Sequence, residues 1–251
     1  MVTVPEQPLI GNINGTVRFE HAPLPFLDSE DLRAMLTGSY DIILCDFLKG
    51  NLAPADIVLD VGANVGYISA VAASCVGKSG EVHGFEPLPE CFNRLERLRE
   101  LNPEFPFFFN NVALGKEEGV LPISYNPDGD SRNATLVPGK QSPATKQVPV
   151  RRLDEYAATQ ISSPERIRLI KIDVEGFEFP VLQGFEGFLK SHQPQIVCEI
   201  KPWELKKLGA TIGEFDRFMK SFGYRSYVIT QMDTPIDLAK LDDMEVVVFR
   251  K

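Results

Sequence analysis

One segment restricts the fold more than any other: Asp60-Val61-Gly62-Ala63-Asn64-Val65-Gly66, set between the apolar run Ile57-Val58-Leu59 and a stretch of small apolar residues over 67–76. An uninterrupted β-branched run suits a strand buried on both faces, the signature of a parallel sheet. The glycines permit a tight strand-to-helix turn and bring backbone N–H groups close to a ligand at the helix N-terminus. The same alternation recurs downstream. Residues 81–86, 107–109, 169–172 and 195–200 read as strands, and 89–101, 179–189 and 212–222 as helices. Strands separated by helices imply right-handed crossovers. Two closing strands, 224–230 and 244–249, flank a polar loop. The expected fold is α/β: a doubly wound, Rossmann-like sheet of seven mostly parallel strands, the last antiparallel.

A single domain over residues 1–251 accounts for this pattern, with an N-terminal extension of about 1–50 and an inserted segment of about 115–165. Residues 1–26 are rich in Pro, Gly and Asn and are expected to wrap the surface. Asp28 or Ser29 can cap a helix running to about Leu36, and a second helix over 40–48 is expected to end at Gly50. In the insertion, 120–125 and 147–151 read as strands and 153–160 as a helix. Turn formers dominate 126–149, which predicts a mobile loop or lid on the acceptor side of a site.

Charge narrows the function. The chain has 26 Lys+Arg against 35 Asp+Glu, a formal net charge of −9. That balance argues against gripping phosphate backbones, and Arg151-Arg152 and Lys206-Lys207 are too short to reverse it. Cys45, Cys75, Cys91 and Cys198 lack metal or redox spacing, and Cys45, Cys75 and Cys198 read as buried, reduced thiols. Residues 1–10 lack the basic start and apolar run of a signal peptide, and no apolar stretch reaches 18 residues. A cytoplasmic protein without nucleic-acid or membrane partners is expected.

A dinucleotide site wants Gly-x-Gly-x-x-Gly, but Asn64 and Tyr67 occupy the second and third glycine positions here. S-adenosylmethionine, which has no pyrophosphate, fits better. Its ribose diol would meet an acidic residue about 20 residues past the loop, and Glu86 stands 20 residues past Gly66. The run Asp60–Gly66 with Glu86-Pro87 resembles class I S-adenosylmethionine-dependent methyltransferases. Lys171-Ile172-Asp173-Val174-Glu175-Gly176-Phe177-Glu178, followed by Val181-Leu182-Gln183-Gly184, is similar to the FkbM-type family. Gly38-Ser39-Tyr40, Asn111-Val112-Ala113-Leu114-Gly115 and Pro194–Glu199 extend the likeness to residues 36–230, with Asp41 where the family often has Glu.

The loop reading and the resemblance together put Tyr40, Asp60, Gly62, Ala63, Asn64, Gly66, Tyr67, Glu86, Pro87, Asn111, Val112, Ala113 and Asp173 around the cofactor. Tyr40 would cover the methionine end and Asn111 lie near the adenine. Helix capping by Asp60, packing by Tyr40 and turn closure by Asn111 compete with these roles. Asp173, Glu175 and Glu199 follow the fourth and fifth strands and are the catalytic candidates. Helix-start stabilisation competes for Glu175 and Glu178, and an ion pair with Lys201 for Glu199. Trp203 borders a substrate pocket or packs in the core, and His21, His83 and His192 read as structural. The resemblance implies O-methylation of a sugar or secondary metabolite; a non-catalytic cofactor-binding protein on the same fold is the alternative. Paired carboxylates can act as a base or hold Mg²⁺, and metal-free base catalysis is favoured because no Asn follows Glu199 as a third ligand.

Overall fold

A computed structural model describes residues 7–22, 24, 27, 29–127, 131–139 and 142–251. Strands β1 (Leu9–Ile13) and β2 (Val17–His21) form an antiparallel hairpin. Helices α1 (Ser29–Thr37) and α2 (Ile42–Asn51) follow. The alternating body comprises β3 (Ile57–Val61), α3 (Tyr67–Val76), β4 (Glu81–Phe85), α4 (Pro89–Leu101) and β5 (Phe107–Asn110). Strands β6 (Ala113–Leu114), β7 (Gly119–Tyr125) and β8 (Ala144–Arg151) make a separate three-stranded sheet, ordered β6-β8-β7. Then come α5 (Leu153–Gln160), β9 (Ile167–Ile172), α6 (Glu178–Gln183), α7 (Glu186–Ser191), β10 (Gln195–Ile200), α8 (Pro202–Lys207) and α9 (Ile212–Ser221). Strands β11 (Arg225–Val228), β12 (Gln231–Ile236) and β13 (Glu245–Arg250) close the chain.

The main sheet is ordered β12-β11-β13-β10-β9-β3-β4-β5. Strands β10, β9, β3, β4 and β5 are mutually parallel, and β13 runs antiparallel between β10 and β11. The chain winds outward in both directions from β3, so the carboxyl ends of β3 and β9 form the switch point where such sheets bind ligands. Side chains alternate across the sheet. Leu59, Ile170, Ile196 and Phe249 face α5, α6, α7 and α9, while Val58, Leu169, Val197 and Val248 face α2, α3, α4 and the hairpin. In α3, Ala70, Val71, Ala72 and Ala73 are all buried, because the helix is sandwiched between sheet and hairpin.

Several expectations are corrected. Among the described residues the sheet has eight strands, not seven: β12 occupies the expected polar loop. Its exposed side chains and Pro235 suit an edge strand that pairs on one side only. The expected helix over 179–189 is two helices, because Gly184 approaches the Gly115 carbonyl so closely that a Cβ there would lie 2.0 Å from its oxygen. Asp154 further accepts hydrogen bonds from Gly187 N–H and Phe188 N–H at the start of α7. The N-terminal stretch does not simply wrap the surface, since Val17 and Phe19 are buried in the core. Helix α2 runs through Gly50 to Asn51, and α8 is an unanticipated helix. Asp28 lies outside the described residues; α1 begins at Ser29. Cys75 is half-buried, whereas Cys91 is buried along with Cys45 and Cys198. Among the described residues, no helix is long and apolar enough to cross a membrane.

Candidate active site

A cavity of about 740 Å³ opens over the carboxyl ends of the parallel strands. Behind its floor stands Asp60, fully buried one residue before the end of β3. Ser69 Oγ of α3 donates to Asp60 Oδ2 at 2.6 Å, and Lys171 Nζ lies 3.2 Å from Asp60 Oδ1. Lys171 Nζ also donates to the Gly62 carbonyl at 2.7 Å and lies 3.7 Å from Asp173 Oδ2. Burial opposes the charge on Lys171, but Asp60 and Asp173 outweigh it and hold the ammonium well above its ordinary pKa. One lysine thus ties β3, the glycine loop and β9 together.

The loop turns where its sequence permits. Gly62 has φ +77°, and a Cβ there would lie 1.9 Å from the Asp173 carbonyl oxygen. Gly62 N–H and Ala63 N–H both donate to the Phe85 carbonyl, at 3.0 and 3.1 Å. Asn64 N–H donates to Glu86 Oε2 at 2.9 Å, and Leu88 N–H donates to Glu86 Oε1 at 2.9 Å. Burial drives the Glu86 carboxyl up to about 7, against the pull of these two backbone donors. Each carboxylate oxygen keeps an acceptor site after its one backbone bond, so Glu86 retains room for two more donors. A vicinal diol offers two. The residues present therefore fit the ribose of S-adenosylmethionine.

Asp173, Glu175 and Glu199 converge at the other end, each offering an oxygen within 4.8 Å of the others. Such oxygens can ligate a hard cation, but Lys201 Nζ already lies among them. It donates to Glu175 Oε2 at 2.6 Å and makes an ion pair with Glu199 Oε2 at 2.6 Å. The second contact lacks hydrogen-bond geometry, which leaves that Glu199 oxygen without a directed donor. Burial raises Glu175 and Glu199 above the usual carboxylate range, and the charge of Asp173 adds to it; Lys201 pulls both back. Asp41 is also raised, by burial first, against the lowering hydrogen bond from Leu44 N–H. Glu178 does not line the cavity. Its Oε1 accepts from Val174 N–H at 3.1 Å and Gly176 N–H at 2.9 Å, and burial pushes its carboxyl up to about 8.

Three non-glycine residues on this cavity wall are left-handed: Asp41 (φ 40°), Asn64 (φ 50°) and Glu175 (φ 55°). Such conformations persist only where surrounding contacts enforce them. For Glu175 that contact is Thr135, whose Oγ1 donates to the Glu175 carbonyl at 2.7 Å. Ser131 Oγ donates to Asn64 Oδ1 at 3.1 Å. From the segment 126–149, Ser131, Asn133, Ala134, Thr135 and Leu136 therefore form part of the wall, while 144–149 belong to β8.

Of the residues expected around the cofactor, Tyr40, Gly62, Ala63, Asn64, Tyr67, Glu86, Pro87, Val112, Ala113 and Asp173 line the cavity. Asp60, Gly66 and Asn111 stand behind the wall. Asp60 is consumed by Ser69 and Lys171. At Gly66 a Cβ would lie 2.8 Å from Leu95, so its absence lets α4 pack close. Asn111 donates to the Glu86 and Pro87 carbonyls at 2.8 and 3.1 Å, which ties the loop after β5 to the loop after β4 rather than closing a local turn. Trp203 is exposed and lies outside the lining. Sequence reasoning missed Lys171, although a lysine inside the otherwise apolar end of β9 was a usable signal. Ser131 and Thr135 carried no signal.

A doubly wound α/β domain with a ligand crevice at its switch point is the class that this geometry defines. Residues 60–226 match the methyltransferase FkbM domain, and the chain belongs to that family. It is 26% identical over 146 residues to methyltransferase 1 of Beauveria bassiana, covering 51% of this chain and 58% of that protein. It is 28% identical over 176 residues to the hexuronic acid methyltransferase AglP of Haloferax volcanii, covering 69% and 68%. To the 31-O-demethyl-FK506 methyltransferase FkbM of Streptomyces tacrolimicus it is 27% identical over 216 residues, covering 72% and 76%. The chain thus spans under two thirds of the length of the first of these relatives.

Proposed function

We propose that this chain transfers the methyl group of S-adenosylmethionine to a hydroxyl of a sugar or other small-molecule acceptor. The observation that carries the reading is the placement in one cavity of Glu86, with two open acceptor positions, and of Asp173, Glu175 and Glu199 across from it. When bound, the cofactor supplies an electrophilic methyl on a sulfonium. Glu86 accepts from the ribose hydroxyls, and the loop Gly62–Val65 holds the cofactor against the strand ends. Tyr40 and Tyr67, edge-to-face at 5.3 Å between ring centroids, wall off the methionine end and exclude water there. Asp173, whose side chain is 44% exposed, takes the acceptor's hydroxyl proton onto a carboxylate oxygen. Holding the oxygen in line with the methyl supplies much of the acceleration.

Two relatives carry names that specify a hexuronic acid and 31-O-demethyl-FK506, which supports an oxygen acceptor on a small molecule or glycan. The net charge of −9 favours such an acceptor over nucleic acid. The test is incubation with methyl-labelled S-adenosylmethionine and a panel of glycosides, followed by mass analysis of the products. Calorimetry that finds no binding of S-adenosylmethionine or S-adenosylhomocysteine, but clear binding of NAD, overturns the reading. Cofactor binding with no turnover across a broad acceptor panel would favour a non-catalytic binding protein.

A further inference from the structure

Three carboxylates whose oxygens lie within 4.8 Å of one another repel unless a cation or a proton stands between them. A divalent ion is the usual solution, since Mg²⁺ and Ca²⁺ take carboxylate oxygens as ligands. Here the chain brings its own cation. Lys201 is the residue between β10 and α8, and its side chain is 14% exposed. Its ammonium reaches Glu175 on the loop after β9 and Glu199 near the carboxyl end of β10, at 2.6 Å each. The two carboxylates are 21% and 23% exposed, so these charges meet in a partly desolvated place where pairing counts for more than at the surface. The remaining carboxylate, Asp173, is not a partner of Lys201; among the described residues it forms an ion pair with Lys171, at 3.7 Å.

We propose that Lys201 is a positioning residue that acts as a built-in cation: it clamps Glu175 to Glu199, fills the place a divalent ion would need, and leaves Asp173, which it does not pair, facing the acceptor. The assignment of Asp173 as base rests on the methyl-transfer reading. The clamp itself does not. Lys201 keeps its charge because Glu175 and Glu199 outweigh the burial that opposes it. It holds the Glu175 side chain, while Thr135 holds the Glu175 carbonyl.

The test uses Mn²⁺ alone as probe, on the full chain in the absence of cofactor. Wild-type protein is expected to bind Mn²⁺ no more tightly than a Glu175→Gln/Glu199→Gln double variant. Lys201→Met frees Glu175 and Glu199 to join Asp173 around a cation, so Mn²⁺ affinity should tighten by about tenfold or more, and Mn²⁺ should raise its melting temperature. Lys201→Arg, which restores the charge, should return Mn²⁺ affinity to the wild-type level. A merely structural lysine would not produce a metal-binding gain that Arg reverses. Wild-type binding of Mn²⁺ that the double variant abolishes overturns the proposal, and this arm holds even where Lys201→Met fails to fold. A folded Lys201→Met with unchanged Mn²⁺ affinity overturns it too. Calorimetry with S-adenosylmethionine, run on the same samples, separates failure of the methyl-transfer reading from failure of the clamp.

Discussion

Asn64 N–H and Glu86 Oε2 are joined by a 2.9 Å hydrogen bond, so the residue that bends the glycine loop is held by the carboxylate at the end of the neighbouring strand. The loop and the candidate ribose partner are therefore one unit. Glu86→Ala should weaken S-adenosylmethionine binding by roughly 10- to 150-fold, the range of charged hydrogen bonds worth ~1.5–3 kcal/mol. Glu86→Gln should fall between, since it keeps one acceptor oxygen. Calorimetry reads both; an unchanged dissociation constant in Glu86→Ala would remove this residue from the site.

Stability should fall as pH rises. Glu86 and Glu178 are held at about 7 and about 8, above the ordinary 4.5 of a glutamate, so the folded state binds more protons than the unfolded chain between those limits. The stability they favour is present at low pH and is lost as pH climbs through about 7 and about 8. In Glu178→Gln, whose amide oxygen can still accept from Val174 and Gly176, the decline should shrink by an amount on the order of a few kcal/mol. Urea unfolding at intervals from acid to mildly alkaline pH checks this, and identical slopes in both proteins would refute it.

Gly62→Ala meets both a left-handed backbone and the Asp173 carbonyl, 1.9 Å from where the new Cβ would sit. It should destabilise by roughly 2 kcal/mol or more. Gly209, at φ +73° with nothing within 4 Å of a Cβ, serves as control. Gly209→Ala should cost about 1 kcal/mol from backbone strain alone. Equal melting temperatures for the two variants would contradict the close approach.

Asp173→Asn should lower turnover by about 10²–10⁴-fold while leaving cofactor affinity largely intact, as loss of a general base predicts. A chelator should have only a modest effect on the wild type. Full activity in Asp173→Asn removes that residue from the mechanism, and complete inactivation by chelator with recovery on adding Mg²⁺ refutes the metal-free route.

Ser131 and Thr135 come from one segment but address different ends of the cavity. Thr135→Val loses the hydrogen bond to the Glu175 carbonyl and should raise the acceptor KM several-fold with little change in cofactor affinity. Ser131→Ala touches Asn64 and should show the reverse bias. Steady-state kinetics beside calorimetry distinguish them; parallel losses in both variants would argue against such a division.

The parallel core was legible because its strands are continuous apolar runs and its helices carry their own stop signals. Helices Tyr67–Val76, Pro89–Leu101 and Leu153–Gln160 and strand Gln195–Ile200 lie where the sequence puts them, residue for residue. What escaped depends on distant contacts. The break between α6 and α7 follows from Gly184 meeting Gly115, and nothing local to Gly184 announces it. The hairpin, by contrast, carries a local signal that sequence reasoning missed: Asn14-Gly15, both at positive φ, suits a tight hairpin turn, and Val17, Phe19 and His21 alternate inward. Strand-end carboxylates could be read from position alone. The pairing of Lys201 with Glu199 follows from adjacency, whereas its reach to Glu175 requires knowing that β9 and β10 are neighbours.

The left-handed backbone at Asp41, Asn64 and Glu175 also limits which mutations this cavity can accept. Valine, isoleucine and threonine are excluded there on conformational grounds, and glycine would keep the turn but delete the polar group. Asparagine and aspartate satisfy both demands best. Positions such as Val112 and Leu136 border the same cavity from ordinary backbone and carry no such restriction. Divergence toward new acceptors is therefore channelled: the apolar contour of the cavity is free to drift, while its pattern of charge is anchored by the path of the chain.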